Sequence, residues 1–327
     1  MSFSRVVRAA LSLALLLSVS VAAGAAVFVS SGDTVWRMDD GLTAIEAAQS
    51  GFTGVAALAA QPIGSVLIGS AGSLQRWDAN LTGMLGSANF GGIVAALAVW
   101  PDSTVGAAAT NGDVVRMDPA ISTTLAITGG AGSPAGIAVM PDGSFVLASA
   151  SMGTVFHMDS GITTSHWTGG YGVLSGVDTT SDSQTVIGGS GLNMVWRLDP
   201  TCTFFTGSMS GFPGVTTVKV GADDSIYIGT LGDTLYRMDT AFASFLGMQT
   251  GVGPITAMDI MIDGSVLVGN AAGRVTRYDA GLTTVLGQYD FGVPITSLAG
   301  EVVPEPASLT ALAAGLVGLL GLRRRKS

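Results

Sequence analysis

Three ionisable side chains replace alanine at one repeated position of this sequence. Seven similar segments follow one another, and the aligned position holds Asp178, Lys219 and Asp259 in three consecutive segments. The other four segments have alanine there, at Ala59, Ala98, Ala138 and Ala299. Two carboxylates and one ammonium group held together could bind a polar ligand or exchange protons with a substrate. The alternative is a salt-bridge set in which the Asp and Lys side chains only neutralise one another.

A second group of charged residues recurs in every segment. Each segment contains an apolar residue, any residue, a basic residue, a bulky apolar residue and then Asp. The acidic positions are Asp39, Asp78, Asp118, Asp159, Asp199, Asp239 and Asp279. The basic positions are Arg37, Arg76, Arg116, His157, Arg197, Arg237 and Arg277.

A structural role is favoured for both repeated positions, because a single active site needs each catalytic group only once. We expect each Asp to accept hydrogen bonds from backbone N–H groups of the turn that follows it. The basic residue lies two positions earlier, on the same face of a strand. We expect it to form a short Arg–Asp contact within or between segments.

The remaining residue types do not predict a metal site, a cofactor site or an activated nucleophile. The chain has two histidines, His157 and His166, and one cysteine, Cys202. These numbers exclude a His-rich metal site and an intramolecular disulfide. Gly-Asp pairs suggest calcium loops, but the alternating acids of such loops are absent, so turns are the better interpretation. We therefore expect no cofactor and no metal.

A period of about 40 residues organises these side chains. In the segment around Asp279, strand-like residues occupy positions 255–260, 265–269, 275–279 and 283–288. Strands rich in β-branched residues and separated by Gly or Asp turns predict antiparallel hairpins. Four antiparallel strands in about 40 residues are typical of one blade of a β-propeller.

Seven such segments predict an all-β, seven-bladed β-propeller over residues 26–300. Its first strands would line a central channel, where the Asp and Lys cluster would meet. The propeller begins with a second strand at residues 27–30 and ends with a first strand at residues 295–300. We expect these two strands to pair and close the ring, which would remove exposed sheet edges.

The propeller segments resemble the WD-repeat, YVTN and quinoprotein-like families. Trp77-Asp78 is a WD pair at the end of a third strand, and residues 237–240 are similar to the comparable stretch of quinoprotein blades. The Gly-His pair of true WD repeats is absent, and a tryptophan ending occurs only at Trp167. The resemblance implies a fold and no activity.

The first 25 residues have the composition of a secretory signal peptide. Arg5 and Arg8 precede an apolar run at residues 9–23, and small residues lead to a cleavage site after Ala25. Signal peptidase would remove this segment during export. The alternative is an uncleaved anchor helix.

The last segment, residues 301–327, has three parts in a fixed order. Pro304, Glu305 and Pro306 precede an apolar run at 307–322, which is shorter than the ~20 residues of a membrane span. The basic end consists of Arg323, Arg324, Arg325 and Lys326. This ending resembles the PEP-CTERM sorting signal, which implies a helix held transiently in the membrane, processing by an exosortase and a Gram-negative source. An ordinary tail anchor is the alternative.

Charge excludes one class of partner. Six of the 14 basic residues and two of the 23 acidic residues lie in the two terminal segments, which leaves eight basic against 21 acidic residues and a net charge near −13. Such a surface repels the phosphates of nucleic acids.

The sequence therefore predicts an exported surface or matrix propeller that acts as a non-enzymatic binding or scaffold protein. Exopolysaccharide is the partner implied by the sorting signal. A propeller enzyme of the lyase, lactonase or glycoside hydrolase type is the alternative, with its site at Asp178, Lys219 and Asp259. A ring for protein–protein contacts is a third possibility.

Overall fold

The computed structural model describes residues 25–162 and 165–300. The predicted signal helix, apart from Ala25, and the predicted sorting helix lie outside these residues. The described residues form strands and turns, without a helix. No helix in this part of the chain is long and apolar enough to cross a membrane.

Twenty-six strands follow one another along the described chain. They are β1 (Val27–Ser31), β2 (Thr34–Met38), β3 (Ile45–Ser50), β4 (Ala57–Gln61), β5 (Ser65–Asp78), β6 (Met84–Val99), β7 (Val105–Ala109), β8 (Val114–Met117), β9 (Thr124–Thr128), β10 (Pro134–Val139), β11 (Phe145–Ser149), β12 (Thr154–Met158), β13 (Ser165–Gly169), β14 (Leu174–Thr179), β15 (Thr185–Gly189), β16 (Met194–Leu198), β17 (Phe205–Ser210), β18 (Val215–Val220), β19 (Ile226–Thr230), β20 (Thr234–Met238), β21 (Phe245–Thr250), β22 (Ile255–Ile260), β23 (Val266–Asn270), β24 (Arg274–Tyr278), β25 (Val285–Asp290) and β26 (Ser297–Gly300).

These strands form six antiparallel sheets, which are the blades of a β-propeller. Five sheets have four strands, in the orders β26-β1-β2-β3, β10 to β13, β14 to β17, β18 to β21 and β22 to β25. The sixth sheet contains β4 to β9 in order. The all-β propeller fold with antiparallel blades is therefore confirmed.

The expected count of seven blades is wrong, because two repeat segments share the six-stranded sheet. β5 and β6 each continue through a position where the repeat predicts a break between strands. At the corresponding connection of the first segment, Gly51 and Gly54 have positive φ values of 95° and 63° and end the strand. Gly91 and Gly92 do not take positive φ, so β6 stays extended and joins the two segments.

Closure of the ring follows the sequence prediction. β26 pairs antiparallel with β1, so that Val27 lies opposite Gly300 and Ser30 opposite Ser297. The hydroxyl groups of Ser30 and Thr296 lie 2.9 Å apart and add a side-chain hydrogen bond. The two ends of the described chain thus complete one blade together.

The innermost strands contact one another in a ring around a central channel. β10 packs on β14, β14 on β18, β18 on β22 and β22 on β26, and β26 contacts β4. The end of β6 completes the circle between β4 and β10. Hydrophobic clusters fill the spaces between neighbouring sheets, such as the one around Phe212, Ile228 and Met238. Burial of one such side chain contributes about 1.5–3 kcal/mol, so stability is spread around the ring.

The repeated Asp residues stabilise the turns that follow them, as expected. The Oδ1 atom of Asp279 accepts hydrogen bonds from the backbone of Thr283 and Thr284 at 2.7 and 2.8 Å. Its Oδ2 atom accepts a hydrogen bond from the Thr283 hydroxyl at 2.7 Å. Related bonds to turn backbone occur at Asp39, Asp78, Asp118, Asp199 and Asp239. Three residues after Asp279, Leu282 is buried with a φ of 58°, a conformation that costs about 1–3 kcal/mol outside glycine.

Three of the basic residues, Arg116, Arg237 and Arg277, form Arg–Asp contacts, but with a different Asp from the one two positions later. Arg237 donates to Asp223 at 2.5 Å, and Arg277 donates to Asp263 at 2.6 Å. These acids belong to the hairpin between the first and second strands of the same segment. The Nε atom of Arg277 also donates to the Ser265 hydroxyl at 2.8 Å. The repeated Asp is unsuited to this contact because its oxygens already bind the turn.

Candidate functional site

The structure brings the three sequence-predicted site residues together on neighbouring inner strands. Asp178 lies near the end of β14, Lys219 near the end of β18 and Asp259 near the end of β22. The Nζ atom of Lys219 lies 3.2 Å from Oδ1 of Asp259. Their side chains are 35% and 23% exposed, so water in the channel reaches both.

Both carboxylates also hold the backbone of the next inner strand. Oδ2 of Asp178 accepts a hydrogen bond from the Val220 N–H at 2.9 Å, and its Oδ1 accepts one from Thr179 at 2.9 Å. Oδ2 of Asp259 accepts a hydrogen bond from the Gly300 N–H at 2.9 Å. Each carboxylate therefore links its own strand to the following one. This arrangement matches the salt-bridge alternative and leaves few free acceptor sites.

The local electrostatics differ between Asp178 and Lys219. Burial raises the pKa of Asp178, although the nearby Lys219 ammonium and the hydrogen bond from Val220 oppose that effect. The Asp259 carboxylate raises the pKa of Lys219 more than burial lowers it. Lys219 is thus a stable cation at neutral pH, whereas Asp178 takes up a proton more readily than an exposed aspartate does.

Two cavities adjoin the cluster along the channel. One, of about 190 Å³, is lined by the beginnings of the inner strands and by Lys219. The other, of about 480 Å³, lies at the hairpin end, where Trp100, Pro101 and Met140 face Ser181 and Asp224. Each is large enough for a few waters or a small ligand group. In the described residues no three His, Cys, Asp or Glu side chains are grouped as metal ligands.

The other chemically distinctive residues have structural partners. Nε2 of His157 lies 3.0 Å from the Ser144 hydroxyl, in the place that Arg occupies in most other segments. Cys202 is buried beside the Thr185 hydroxyl at 3.2 Å, and burial raises the pKa of its thiol to about 11. The predicted sorting residues, Pro304 to Pro306 and Arg323 to Arg325, lie outside the described residues.

Sequence reasoning missed a set of exposed apolar side chains on or directly beside the outermost strands. Trp167, Phe204 and Phe205 are 69%, 71% and 68% exposed, and Phe245 is 53% exposed. A signal was present for Phe205 and Phe245, because an apolar residue follows the repeated Asp by six or seven positions in most segments. From the sequence alone, that position is interpreted as part of a half-buried strand. In the structure the strand is the last of its sheet, so the side chain is exposed.

Comparison with known proteins addresses the tail and the fold separately. Residues 302–326 match the PEP-CTERM protein-sorting motif, which marks an exported, cell-surface protein and implies recognition by an exosortase. Many solved structures are similar in fold. One is the crystal structure of the computationally designed Ika8 protein, with a TM-score of 0.65 and 17% identity over 83% of this chain and 86% of that one. No curated protein matches the chain. At this identity the structural likeness shows the fold alone.

Proposed function

We propose that this protein is a non-enzymatic scaffold and binding protein of the outer cell surface or extracellular matrix of a Gram-negative bacterium. The sorting motif at residues 302–326 carries the proposal, because it assigns the chain to the surface. In this reading residues 1–25 are a signal peptide, 26–300 the functional propeller and 301–327 a sorting tail. Signal peptidase and an exosortase are its processing partners.

The channel supports a rigid scaffold. Asp178 and Asp259 each bind the backbone of the neighbouring inner strand, and Lys219 neutralises Asp259. Ionisable groups used in this way hold the ring together. A disc with this internal cross-linking presents its outer strands in fixed positions, which lowers the entropy lost on binding.

Exopolysaccharide is the binding partner we propose from the surface location. The exposed aromatic side chains Trp167, Phe205 and Phe245 lie on successive outer strands and could pack against neutral sugar faces. The acidic body would disfavour strongly anionic polymers. Repeated weak contacts around the ring would raise the net affinity for a repetitive polymer.

The test combines fractionation with polymer binding. Cells producing the full chain should carry it in the surface or matrix fraction, and deletion of residues 302–327 should retain it in the periplasm or membrane. Unchanged surface delivery of the deletion variant would contradict the role of the tail. Co-sedimentation with matrix polysaccharide should fall when Trp167 is changed to Ser. Leu192→Ser removes another exposed apolar side chain, in the β15–β16 turn, and should leave co-sedimentation unchanged.

A second candidate is a propeller enzyme of the lyase, lactonase or glycoside hydrolase type. The raised pKa of Asp178 favours it, because a carboxyl group that keeps its proton can serve as a general acid. Hydrolysis or elimination of a surface sugar that is lost in Asp178→Asn, with the fold retained, would support this candidate over the scaffold.

A further inference from the structure

The only two histidines of the chain lie directly opposite each other in one blade. β12 pairs antiparallel with β13, and His157 is the cross-strand partner of His166. Side chains in this relation point to the same face of the sheet, with their Cβ atoms about 4.5–5.5 Å apart. The sequence excludes a His-rich metal site, but the register of these two strands brings both imidazole groups together.

The same pair of positions is occupied differently in the other six segments, where an Arg lies opposite Gly or Ala. The pairs are Arg37–Ala47, Arg76–Gly86, Arg116–Ala126, Arg197–Gly207, Arg237–Gly247 and Arg277–Gly287. In the pair formed by β12 and β13 both residues differ, because one His replaces the Arg and a second His replaces the small residue. A histidine that only fills the basic position does not require another histidine opposite it.

The change from Arg to His gives up a contact between segments. Arg277 binds Asp263 of its own segment and also the carbonyl oxygen of Asp40 in the next one. His157 is shorter, and its Nε2 atom lies 3.0 Å from the Ser144 hydroxyl of its own segment. In the described residues it has no contact that corresponds to the one with Asp40. A separate role for the histidine would account for this loss.

Hydrogen bonds fix which nitrogen of His157 is able to bind a metal. The Ser144 hydroxyl donates its proton to Oδ1 of Asp142 at 2.5 Å, so its oxygen accepts the proton of the His157 Nε2–H group. The Nδ1 atom of His157 then keeps its lone pair. Histidines that bind metals usually donate their other N–H group to an acceptor in this way, which orients the ring and raises its basicity.

The environment keeps His157 in the form that a metal requires. A metal binds neutral imidazole and competes with protons for it. Burial lowers the pKa of His157, the Asp142 carboxylate opposes that effect, and the neighbouring His166 lowers the pKa further. His166 is exposed, so an ion from solution reaches the pair. The acidic body of the protein attracts cations toward it.

We propose that His157 and His166 together bind one divalent transition-metal ion, such as Zn²⁺, Ni²⁺ or Cu²⁺. Imidazole is a preferred ligand of these ions, whereas Ca²⁺ and Mg²⁺ prefer oxygen ligands. Zn–N bonds of about 2.0–2.1 Å place two nitrogens about 3.3 Å apart in a tetrahedral site, which side chains on opposite positions can reach. No group of three ligands occurs in the described residues, so water completes the coordination.

The bound ion would join the outermost strand of this blade to its neighbour. A site with two protein ligands lacks the three ligands of catalytic zinc sites, so its role is binding and not catalysis. It requires only the propeller fold and is independent of the proposed scaffold function. Loss of surface delivery or of polysaccharide binding would leave this inference unaffected.

Metal titration of the full chain, produced without a polyhistidine tag, tests the proposal. Isothermal titration calorimetry with Zn²⁺ should give one ion per chain, and Zn²⁺ should raise the melting temperature above its value in EDTA. His166→Ala introduces the type of residue that other segments have here, and it should weaken Zn²⁺ binding at least tenfold. Trp167→Ala is the matched control, because Trp167 is exposed on the same strand but points to the other face. It should leave Zn²⁺ binding unchanged.

His157→Arg separates metal binding from folding. It restores the residue that the other six segments have at this position, so the melting temperature in EDTA should not fall, while Zn²⁺ binding should be lost. In the Cu²⁺ complex, electron paramagnetic resonance should show coupling to two imidazole nitrogens, and His166→Ala should leave one.

Three results would overturn the proposal. The first is equal binding of Zn²⁺ by the unchanged chain and by both histidine variants. The second is equal affinity for Ca²⁺ and Zn²⁺, because it would assign the ions to surface carboxylates. The third is the absence of binding for all three transition-metal ions.

Discussion

The guanidinium group of Arg277 donates a hydrogen bond to the carbonyl oxygen of Asp40 at 2.5 Å, across 237 positions of sequence. Arg116 makes the same contact, at 2.7 Å, with the carbonyl oxygen of Ser160 in the segment that follows its own. In both cases the acceptor is the residue after the repeated Asp of the next segment. The junction between the two chain ends therefore uses the same side-chain contact as an internal junction.

Removal of the Arg277 side chain should weaken this junction. Arg277 is largely buried and also binds Asp263 and Ser265, so Arg277→Ala leaves several acceptors without their donor. We expect a loss of about 1.5–3 kcal/mol, which corresponds to a fall of several degrees in the melting temperature. Thermal unfolding followed by circular dichroism measures it.

Arg274→Ala is the control for that substitution, because Arg274 lies on the same strand but is exposed. It should change the free energy of unfolding by no more than about 0.5 kcal/mol. Equal effects of the two substitutions would show that Arg277 acts through general charge and not through its contacts at the junction.

Substitution of Ala26 by Ser should stabilise the protein. The Nε atoms of Arg116, Arg237 and Arg277 each bind a Thr or Ser hydroxyl that lies two positions before their cross-strand partner. For Arg37 the cross-strand partner is Phe28, which puts Ala26 at the hydroxyl position. Arg37 Nε is buried and has no hydrogen-bond partner in the part of the chain that the structure describes. We expect Ala26→Ser to contribute about 0.5–1.5 kcal/mol.

Ala299→Ser is the comparison for this gain, since Ala299 is as buried as Ala26 but lies opposite Phe28 on β26 and does not occupy the hydroxyl position. Urea unfolding at constant m-value would report the difference. A lower midpoint for Ala26→Ser, or the same rise for both variants, would refute the assignment of Ala26 to the missing hydroxyl.

Lys219 and Asp259, which form an ion pair in the channel, should show energetic coupling. Lys219→Met leaves the Asp259 carboxylate without its counter-charge, and we expect a loss of about 1–2 kcal/mol, reduced by the water that reaches both groups. The double variant Lys219→Met/Asp259→Asn should lose less than the sum of the single changes. A double-mutant cycle measures this coupling. Strict additivity would mean that the 3.2 Å pair contributes nothing to the closure of the inner ring.

Acid should destabilise the protein through its turn carboxylates. The Thr283 hydroxyl and the backbone of the turn lower the pKa of Asp279 below 3.8, and side-chain hydrogen bonds from Thr104 and Ser144 lower those of Asp102 and Asp142. A carboxyl whose pKa is lower in the folded state contributes stability above its unfolded pKa and loses it as pH falls through the folded value.

Asp178 acts in the opposite direction. Burial raises its pKa, and protonation removes the cost of keeping its charge away from water. Carboxyl groups with lowered pKa values outnumber Asp178, so the melting temperature should fall as pH decreases from about 5 to about 2. The decrease should be smaller in Asp279→Asn, which removes one titrating group. A melting temperature that stays constant or rises as the pH decreases over this range would contradict the pKa shifts.

Local contacts were predictable from the sequence because they depend on residues close together in the chain. The repeated Asp was assigned to its turn, since its hydrogen-bond partners lie four and five positions later. The antiparallel hairpins followed from turn residues and apolar alternation. The sequence predicted an Arg–Asp contact in kind but not its Asp, because Arg277 reaches back 14 positions across a strand pair to Asp263.

The number of blades was decided by backbone conformation that composition does not report. Glycine permits positive φ without requiring it, and Gly91 and Gly92 remain extended where Gly51 and Gly54 turn. The sequence likewise does not report how the side chains in the channel are arranged. Asp178, Lys219 and Asp259 were placed on adjoining strands from their period alone, but whether they face a ligand or each other depends on distances of a few ångströms.

The sequence by itself determined the repeat, the antiparallel strands, the pairing of the two ends and the sorting address, because each is written in spacing or in a contiguous motif. Only the tertiary structure decided that Asp259 holds the Gly300 backbone and that, among the described residues, the Nε atom of Arg37 lacks a hydrogen-bond partner and the edge of β21 is open. These are relations between residues far apart in the chain. They arise when the sheets pack around the channel, where burial and geometry select one partner among several of the same residue type.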